Sequence, residues 1–349
     1  MGMGQFVITL RCWRNAEMEL GSVGEFGLID LIGDGVFAPE HIVRGIGDDC
    51  AVLPYDAKTY QLLSCDMLNE GIHFLLDKIT PYQLGYKAVA VSLSDIAAMG
   101  GSPTNIVLSI GLTEAVTVEW WREFYRGVSA ICQRYQVNIA GGDTTKSVGS
   151  LSINVTALGL VAKEDLRLRS MAKAGDKIFV TGPLGASRAG LELLWHPEKT
   201  FAGAAILLQE HLQPEPCCQE VRWLNEACGS SLHALNDISD GLASECLEIA
   251  SASQVGAVLD YEAIPVRPET LALAESCHLD GRQWALYGGE DYQLVGTLEA
   301  HNALQAAERY HRLSGKTLHF LGEMTAEAGL WLKKGQALEP VLTKGYVHF

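Results

Sequence analysis

The stretch from Thr80 to Gly101 constrains this chain most, because it reads as a helix with both ends specified. Thr80 offers an N-cap hydroxyl, Pro81 takes the first helical position, Gln83 completes a capping box, and Gly100-Gly101 stops the run. Leu84, Ala88, Val91 and Asp95 follow steps of four, three and four, which puts a carboxylate on an apolar stripe. An acid in that position needs a partner.

Asp95 is one of a series. Gly45-Ile46-Gly47-Asp48-Asp49-Cys50-Ala51 is a glycine-hinged turn presenting two adjacent carboxylates. Asp66 follows a predicted strand at Tyr60 to Cys65, Asp143 follows one at Val137 to Ala140, and Asp237 and Asp240 flank Ile238-Ser239, with Asp240 placed to cap a helix at Leu242 to Ser251. A lone Gly-Asp-Asp turn is ordinary solvated turn chemistry. Acids repeatedly placed at the ends of apolar segments point instead to a shared cluster. Two unit charges about 4 Å apart repel by roughly 4 kcal/mol at an effective dielectric of 20, so several carboxylates in one cleft need cations. Oxygen ligands with few histidines or thiols favour magnesium over zinc or copper, and magnesium commonly shares its shell with substrate phosphates. Aspartate-held magnesium beside glycine turns points to nucleotide triphosphate chemistry. The chain has no Gly-x-x-x-x-Gly-Lys-Ser/Thr loop, no Gly-x-Gly-x-x-Gly after its first strand, no Gly-x-Ser-x-Gly elbow and no His-Glu-x-x-His.

At 349 residues and 48% hydrophobic, the chain is long enough for about two domains with buried cores. The 26 Lys and Arg against 42 Asp and Glu give a formal charge of -16, which argues against nucleic-acid and anionic-membrane partners and requires a phosphate substrate to arrive with cations. No apolar run approaches the roughly 18 to 20 residues of a membrane span. Nine cysteines without a Cys-x-x-Cys pair suggest buried free thiols in a reducing cytoplasm. Residues 1–23 read as a flexible extension or an alternative start.

From residue 24 the order is a short helix at Glu25 to Ile32, then strands and helices in alternation, with a buried strand at Asn105 to Leu112, a helix at Glu119 to Tyr135 and a strand at Leu151 to Val161. The charged passage Lys163 to Asp176 reads as a hinge to a second α/β unit. There Gly182 to Ser187 joins a strand to a helix, either holding an anion on free N–H groups or serving only as a tight connection.

Ile46 to Ala51, Asp66, Gly71-Ile72-His73-Phe74, Tyr86-Lys87-Ala88, Leu93 to Gly100, Gly141 to Thr145, Asp237 to Leu242, Gly288-Gly289-Glu290-Asp291-Tyr292 and Lys344-Gly345-Tyr346, in this order, resemble the motifs of the thiamine-monophosphate kinases. The likeness runs from about residue 24 to the C-terminus. It implies the two-domain α/β (α+β) fold shared with aminoimidazole ribonucleotide synthetase and selenophosphate synthetase. Residues 24–162 would bind ATP and magnesium and pair with their twin in a dimer barrel, and residues 163–349 would form an α/β sandwich completing the substrate site. The resemblance also implies ATP-dependent phosphorylation of thiamine monophosphate to thiamine diphosphate by a cytoplasmic homodimer. Carried over position by position, Asp49, Asp66, Asp95, Asp143, Asp237 and Asp240 would be ligands to several Mg2+ ions. Gly142, Asp143, Arg169 and Ser239 would touch ATP, and His73, Glu290 and Tyr346 would line the thiamine-phosphate site. The family commonly reads Ser-Thr-Asp where this chain reads Ser64-Cys65-Asp66, so a hydroxyl able to assist a metal is replaced by a thiol.

A phosphate monoester has a second pKa of about 6, so this acceptor is already deprotonated at neutral pH and needs no protein base or nucleophile. Direct in-line transfer is expected, driven by positioning and charge neutralisation. His73 then serves as a substrate contact or a structural residue more readily than as a proton shuttle, and an aromatic face at Tyr346 suits a cationic thiazolium. Two other functions compete: a sister ATP-dependent synthetase acting on an amide or selenide, and a nucleotide-binding regulator without turnover. The first needs a catalytic Cys or Lys near the N-terminus, and retention of six aspartates argues against the second.

Overall fold

The computed structural model describes residues 28–29, 39–198 and 200–341. Leu28 and Ile29 are helical; the rest of the helix expected at Glu25 to Ile32, the N-terminal extension and Tyr346 lie outside the described residues. The described residues from 39 onward form one compact unit.

Its first sheet contains β1 (Ala51–Pro54), β2 (Thr59–Asn69), β3 (Ser102–Leu112), β4 (Asn138–Lys146) and β5 (Ser152–Ala162), in the order β1-β2-β5-β3-β4. All neighbours are antiparallel except β3 and β4. The central strand β5 shows why the sheet forms: Ile153, Val155, Ala157 and Val161 alternate along it and are buried on one face. Against that face lies α1 (Pro81–Ala98), capped as expected, with the Thr80 side chain accepting from the Gln83 N–H and the Thr80 N–H donating to Gln83 Oε1 at 3.0 Å. Fourteen of its 18 residues are buried, so it is a core helix covered on all sides. Part of that cover is α2 (Val118–Tyr135), which approaches closely because Gly85 and Gly127 lack side chains: a Cβ on Gly127 would meet the Tyr82 carbonyl oxygen at 1.9 Å.

The second sheet contains β6 (Lys177–Val180), β7 (Leu232–Asp237), β8 (Gly256–Asp260), β9 (Leu294–Leu298), β10 (His319–Thr325), β11 (Gly329–Lys334) and β12 (Ala337–Pro340), in the order β12-β11-β8-β10-β6-β9-β7. Its helices include α3 (Ala186–Trp195), α4 (Ala204–Leu212), α5 (Cys218–Cys228) and α6 (Leu242–Ala252). One apolar cluster runs from Leu93 and Ile96 on α1 to Val221 and Leu224 on α5. The buried helix α1 therefore belongs to both halves.

Several strands outrun their expected ends. Asp66 lies inside β2 and Asp143 inside β4, because strand pairing continues through both acids. Asp240 does not cap α6; Gly241 occupies the N-cap and no side chain bonds there. The turn before α3 is filled by the protein itself, with Asp291 accepting from the Gly185 N–H at 2.7 Å and the Ser187 N–H at 3.4 Å. Among the described residues no helix is long and apolar enough to cross a membrane.

Candidate active site

Three acids converge from three kinds of element. Asp49 follows the positive-φ Gly47 in the loop before β1, Asp95 sits on α1, and Asp237 ends β7. One carboxylate oxygen of each lies within 4.8 Å of the others. Serines hold the acids in place. Ser64 on β2 donates to Asp95, Ser92 donates to Asp66 at 2.7 Å, and Ser94 donates to Asp237 at 2.6 Å. Because side chains alternate along a strand, Ser64 and Asp66 face α1 while Cys65 projects to the exposed opposite side, where Asn154 Nδ2 donates to its sulfur at 3.2 Å. The thiol therefore does not face the acids.

Burial and mutual repulsion oppose ionisation of this cluster. Burial, then the charges of Asp66, Asp237 and Asp49, hold the Asp95 carboxyl far above the usual carboxylate range. Burial raises Asp237 to about 6 and Asp49 to about 8, the latter in spite of Arg169. Arg169 is the local counter-charge. It pairs with Asp49 through Nη2 and with Glu248 through Nη1 at 2.7 Å, and its Nε donates to Asn236 at 3.2 Å. Asn236 in turn donates to the buried Glu245 at 2.7 Å, which also accepts from the Asp240 N–H at 2.9 Å and from Ser239 Oγ at 3.3 Å.

A second polar node contains Glu290. Its Oε1 lies 2.7 Å from Lys87 Nζ and its Oε2 3.3 Å from His211 Nδ1. Burial alone would raise this carboxyl, but Lys87, His211 and the neighbouring His73 bring it below its ordinary value. His73 Nδ1 accepts from the Asn69 N–H at 3.0 Å.

The expected site residues thus fall into groups. Asp49, Asp95 and Asp237 cluster, and Asp66 joins them through its influence on Asp95. Ser239 and Asp240 follow Asp237 in the loop tied to Glu245, and His73 and Glu290 share the second node. Gly142 and Asp143 stand apart on β4, exposed along its whole length, where Asp143 accepts from the Thr144 N–H at 2.9 Å. Ser64, Ser92, Ser94, Lys87, His211, Glu245 and Glu248 are participants that composition and spacing do not single out. Lys87, Ser94 and Ser64 do fall within quoted stretches, Tyr86-Lys87-Ala88, Leu93 to Gly100 and Ser64-Cys65-Asp66, but no role attaches to them there.

The cluster suits a hard divalent cation. Its donors are carboxylate oxygens, and the second oxygen of Asp49 is buried without a hydrogen-bond partner.

Sequence comparison carries the geometry to a family. Residues 47–161 match the model of the AIR synthase related protein N-terminal domain, and residues 173–333 match that of its C-terminal domain. Thiamine-monophosphate kinase of Bacillus subtilis is 34% identical over 331 residues, covering 93% of this chain and 99% of that one. The Escherichia coli enzyme of the same name is 38% identical over 338 residues, covering 93% and 98%. The chain belongs to the thiamine-monophosphate kinase family. Solved structures agree with the thiamine-monophosphate kinase assignment. AaThiL complexed with AMPPCP and TMP superimposes with a TM-score of 0.83 at 33% identity, covering 96% of this chain and all 100% of that one. The thiamine monophosphate kinase of Aquifex aeolicus gives 0.77 at 33% identity over 93% and 100%. The two-domain α/β architecture expected from the resemblance is therefore the fold of this kinase family member.

Proposed function

We propose that the protein transfers the γ-phosphoryl group of ATP to the phosphate of thiamine monophosphate, giving thiamine diphosphate. The observation that carries this reading is the convergence of Asp49, Asp95 and Asp237, with an unpartnered buried oxygen on Asp49, in a chain of this family.

Asp49, Asp66, Asp95, Asp143, Asp237 and Asp240 would hold Mg2+. Bound there, the metal supplies positive charge for the polyphosphate and the acceptor phosphate. Arg169 and Ser239, together with Gly142 and Asp143, contact the nucleotide, while His73 and Glu290 contact the acceptor. No residue acts as base or nucleophile, since the acceptor oxygen arrives deprotonated. Asp49 and Asp95 come from the region 24–162 and Asp237 from 163–349, the two domains we propose for the chain. Each residue of β4 is exposed although the strand has one free edge, which supports a homodimer formed through the first sheet. The free cysteines suit a reducing cytoplasm.

The test is product formation from purified protein, magnesium ATP and thiamine monophosphate, with free thiamine as a parallel acceptor. Diphosphate is expected from the monophosphate alone. Magnesium-dependent ATP binding without diphosphate would refute the assignment.

A further inference from the structure

Lys87 is a fully buried cation that the phosphoryl transfer does not itself require. Its side chain is 1% exposed, yet its ammonium lies 2.7 Å from Glu290 Oε1, whose side chain keeps 28% exposure. A buried charge persists only when paired and hydrogen-bonded. The lysine is therefore out of reach of a ligand, while the carboxylate it holds is within reach.

Glu290 is fixed from its other side as well. Its Oε2 faces His211 Nδ1, which also lies 3.0 Å from Ser187 Oγ. The same ring nitrogen thus lies between the Glu290 carboxylate and the Ser187 hydroxyl. The backbone is held too: Glu290 has φ +56, uncommon for a residue with a side chain, and its N–H donates to the Ser239 carbonyl at 2.6 Å. Tyr292, at φ +48, donates its N–H to the Ile238 carbonyl at 2.9 Å. Glu290 is thus stitched to the loop that follows Asp237.

The helix sets the spacing. Lys87 and Ser94 are seven residues apart on α1, which places them on one face about 10 Å apart along the axis. Ser94 holds Asp237, and Lys87 holds Glu290. One face of α1 therefore receives an acid from the other half of the chain at each end of a two-turn interval.

We infer that Lys87 is the positioning residue of the acceptor site, fixing Glu290 two helical turns from the metal-binding acids so that the site selects an elongated phosphate monoester with hydrogen-bond donors or positive charge at its far end. The inference rests on the proposed function, with Glu290 as an acceptor contact. A monoester whose ring system stops short of Glu290 gains nothing from the pair.

Steady-state kinetics of the full chain test this with two acceptors: thiamine monophosphate, and the phosphate ester of its thiazole half, which lacks the pyrimidine. Wild type, K87M, E290Q and the double variant K87M/E290Q are compared. K87M is expected to raise KM for thiamine monophosphate about tenfold with kcat within about threefold. KM for ATP and for the short ester stays unchanged. E290Q is expected to show the same split, and the double variant no more than either single change, as for residues acting as one unit. The double variant buries no unpaired charge, so it serves where K87M does not fold. An unchanged KM in K87M/E290Q, or a fall in kcat at unchanged KM, overturns the inference while the proposed function stands. Absence of diphosphate from the wild type would instead overturn both.

Discussion

Ser94 Oγ donates to Asp237 Oδ2 at 2.6 Å, so a hydroxyl on the helix packed against the first sheet holds an acid at the last residue of a strand in the second. Both residues are buried, and the bond assists ionisation of a carboxyl that burial opposes. Ser94→Ala is expected to cost roughly 2 kcal/mol, typical of a hydrogen bond to a charged group. Denaturant unfolding in magnesium would show the full loss. Wild-type stability in S94A would mean that the bond contributes nothing to the docking of the two halves.

Asp95→Asn replaces a carboxyl that burial and then the charges of Asp66, Asp237 and Asp49 hold far above its ordinary range. Without divalent cations the variant should melt at a higher temperature than wild type, because folding no longer has to protonate an acid that is ionised in the unfolded chain. Magnesium should raise its melting temperature less than it raises that of wild type, and turnover should fall by about a hundredfold or more. Melting curves with chelator and with magnesium, together with the diphosphate assay, read these opposite effects. Near-wild-type turnover in D95N would refute the assignment of Asp95 as a ligand.

The pH dependence has a definite sign. Asp49 and Asp237 have folded values raised to about 8 and about 6 from 3.8. A carboxyl raised on folding contributes stability that is fully present below its unfolded value and is lost as pH climbs through the folded one. The metal-free protein should therefore lose stability between about pH 4 and pH 8 from these groups. Magnesium stabilisation should grow over the same window, since binding displaces protons. Melting temperatures across this range in chelator and in magnesium would test it. A gap between the two curves that does not widen with pH contradicts the prediction.

Gly127→Ala probes how closely α1 must be held. A methyl there would lie 1.9 Å from the Tyr82 carbonyl oxygen, so the two helices must move apart. Overpacking of this kind costs about 1–3 kcal/mol. Because α1 also carries Ser92, Ser94 and Asp95, the magnesium concentration for half-maximal activity should rise about threefold or more. A destabilised variant with unchanged magnesium dependence would show that helix packing and acid placement are independent.

Features encoded within a few residues were readable before the fold. The Thr80 capping box and the glycine stop after α1 depend on local spacing, and the expectation of a shared acid cluster meets the convergence of Asp49, Asp95 and Asp237. Residues 196–236 carry no comparable local signal, yet α4, α5 and β7 form there. Strand ends were misplaced at Asp66 and Asp143 because a charged residue looks like a boundary, whereas pairing with β5 and β3 carries the strands onward. The serines were silent for a different reason. Ser64 and Asp95 are 31 residues apart, and Ser94 and Asp237 are 143 apart, so their bonds exist only once the sheets and α1 have packed. Lys87 was harder still, because a lysine within a helix ordinarily marks a solvated face.

The shared helix α1 also links folding to chemistry. A chain that had completed each sheet but not brought them together would contain well-formed strands, good caps and a separated set of acids. Asp49 and Asp95 would wait on one side of the seam and Asp237 on the other. The apolar cluster that α1 shares with α5 therefore does more than hold the halves together: it brings the three acids to one place, so a change that loosens it would lower activity without touching an acid.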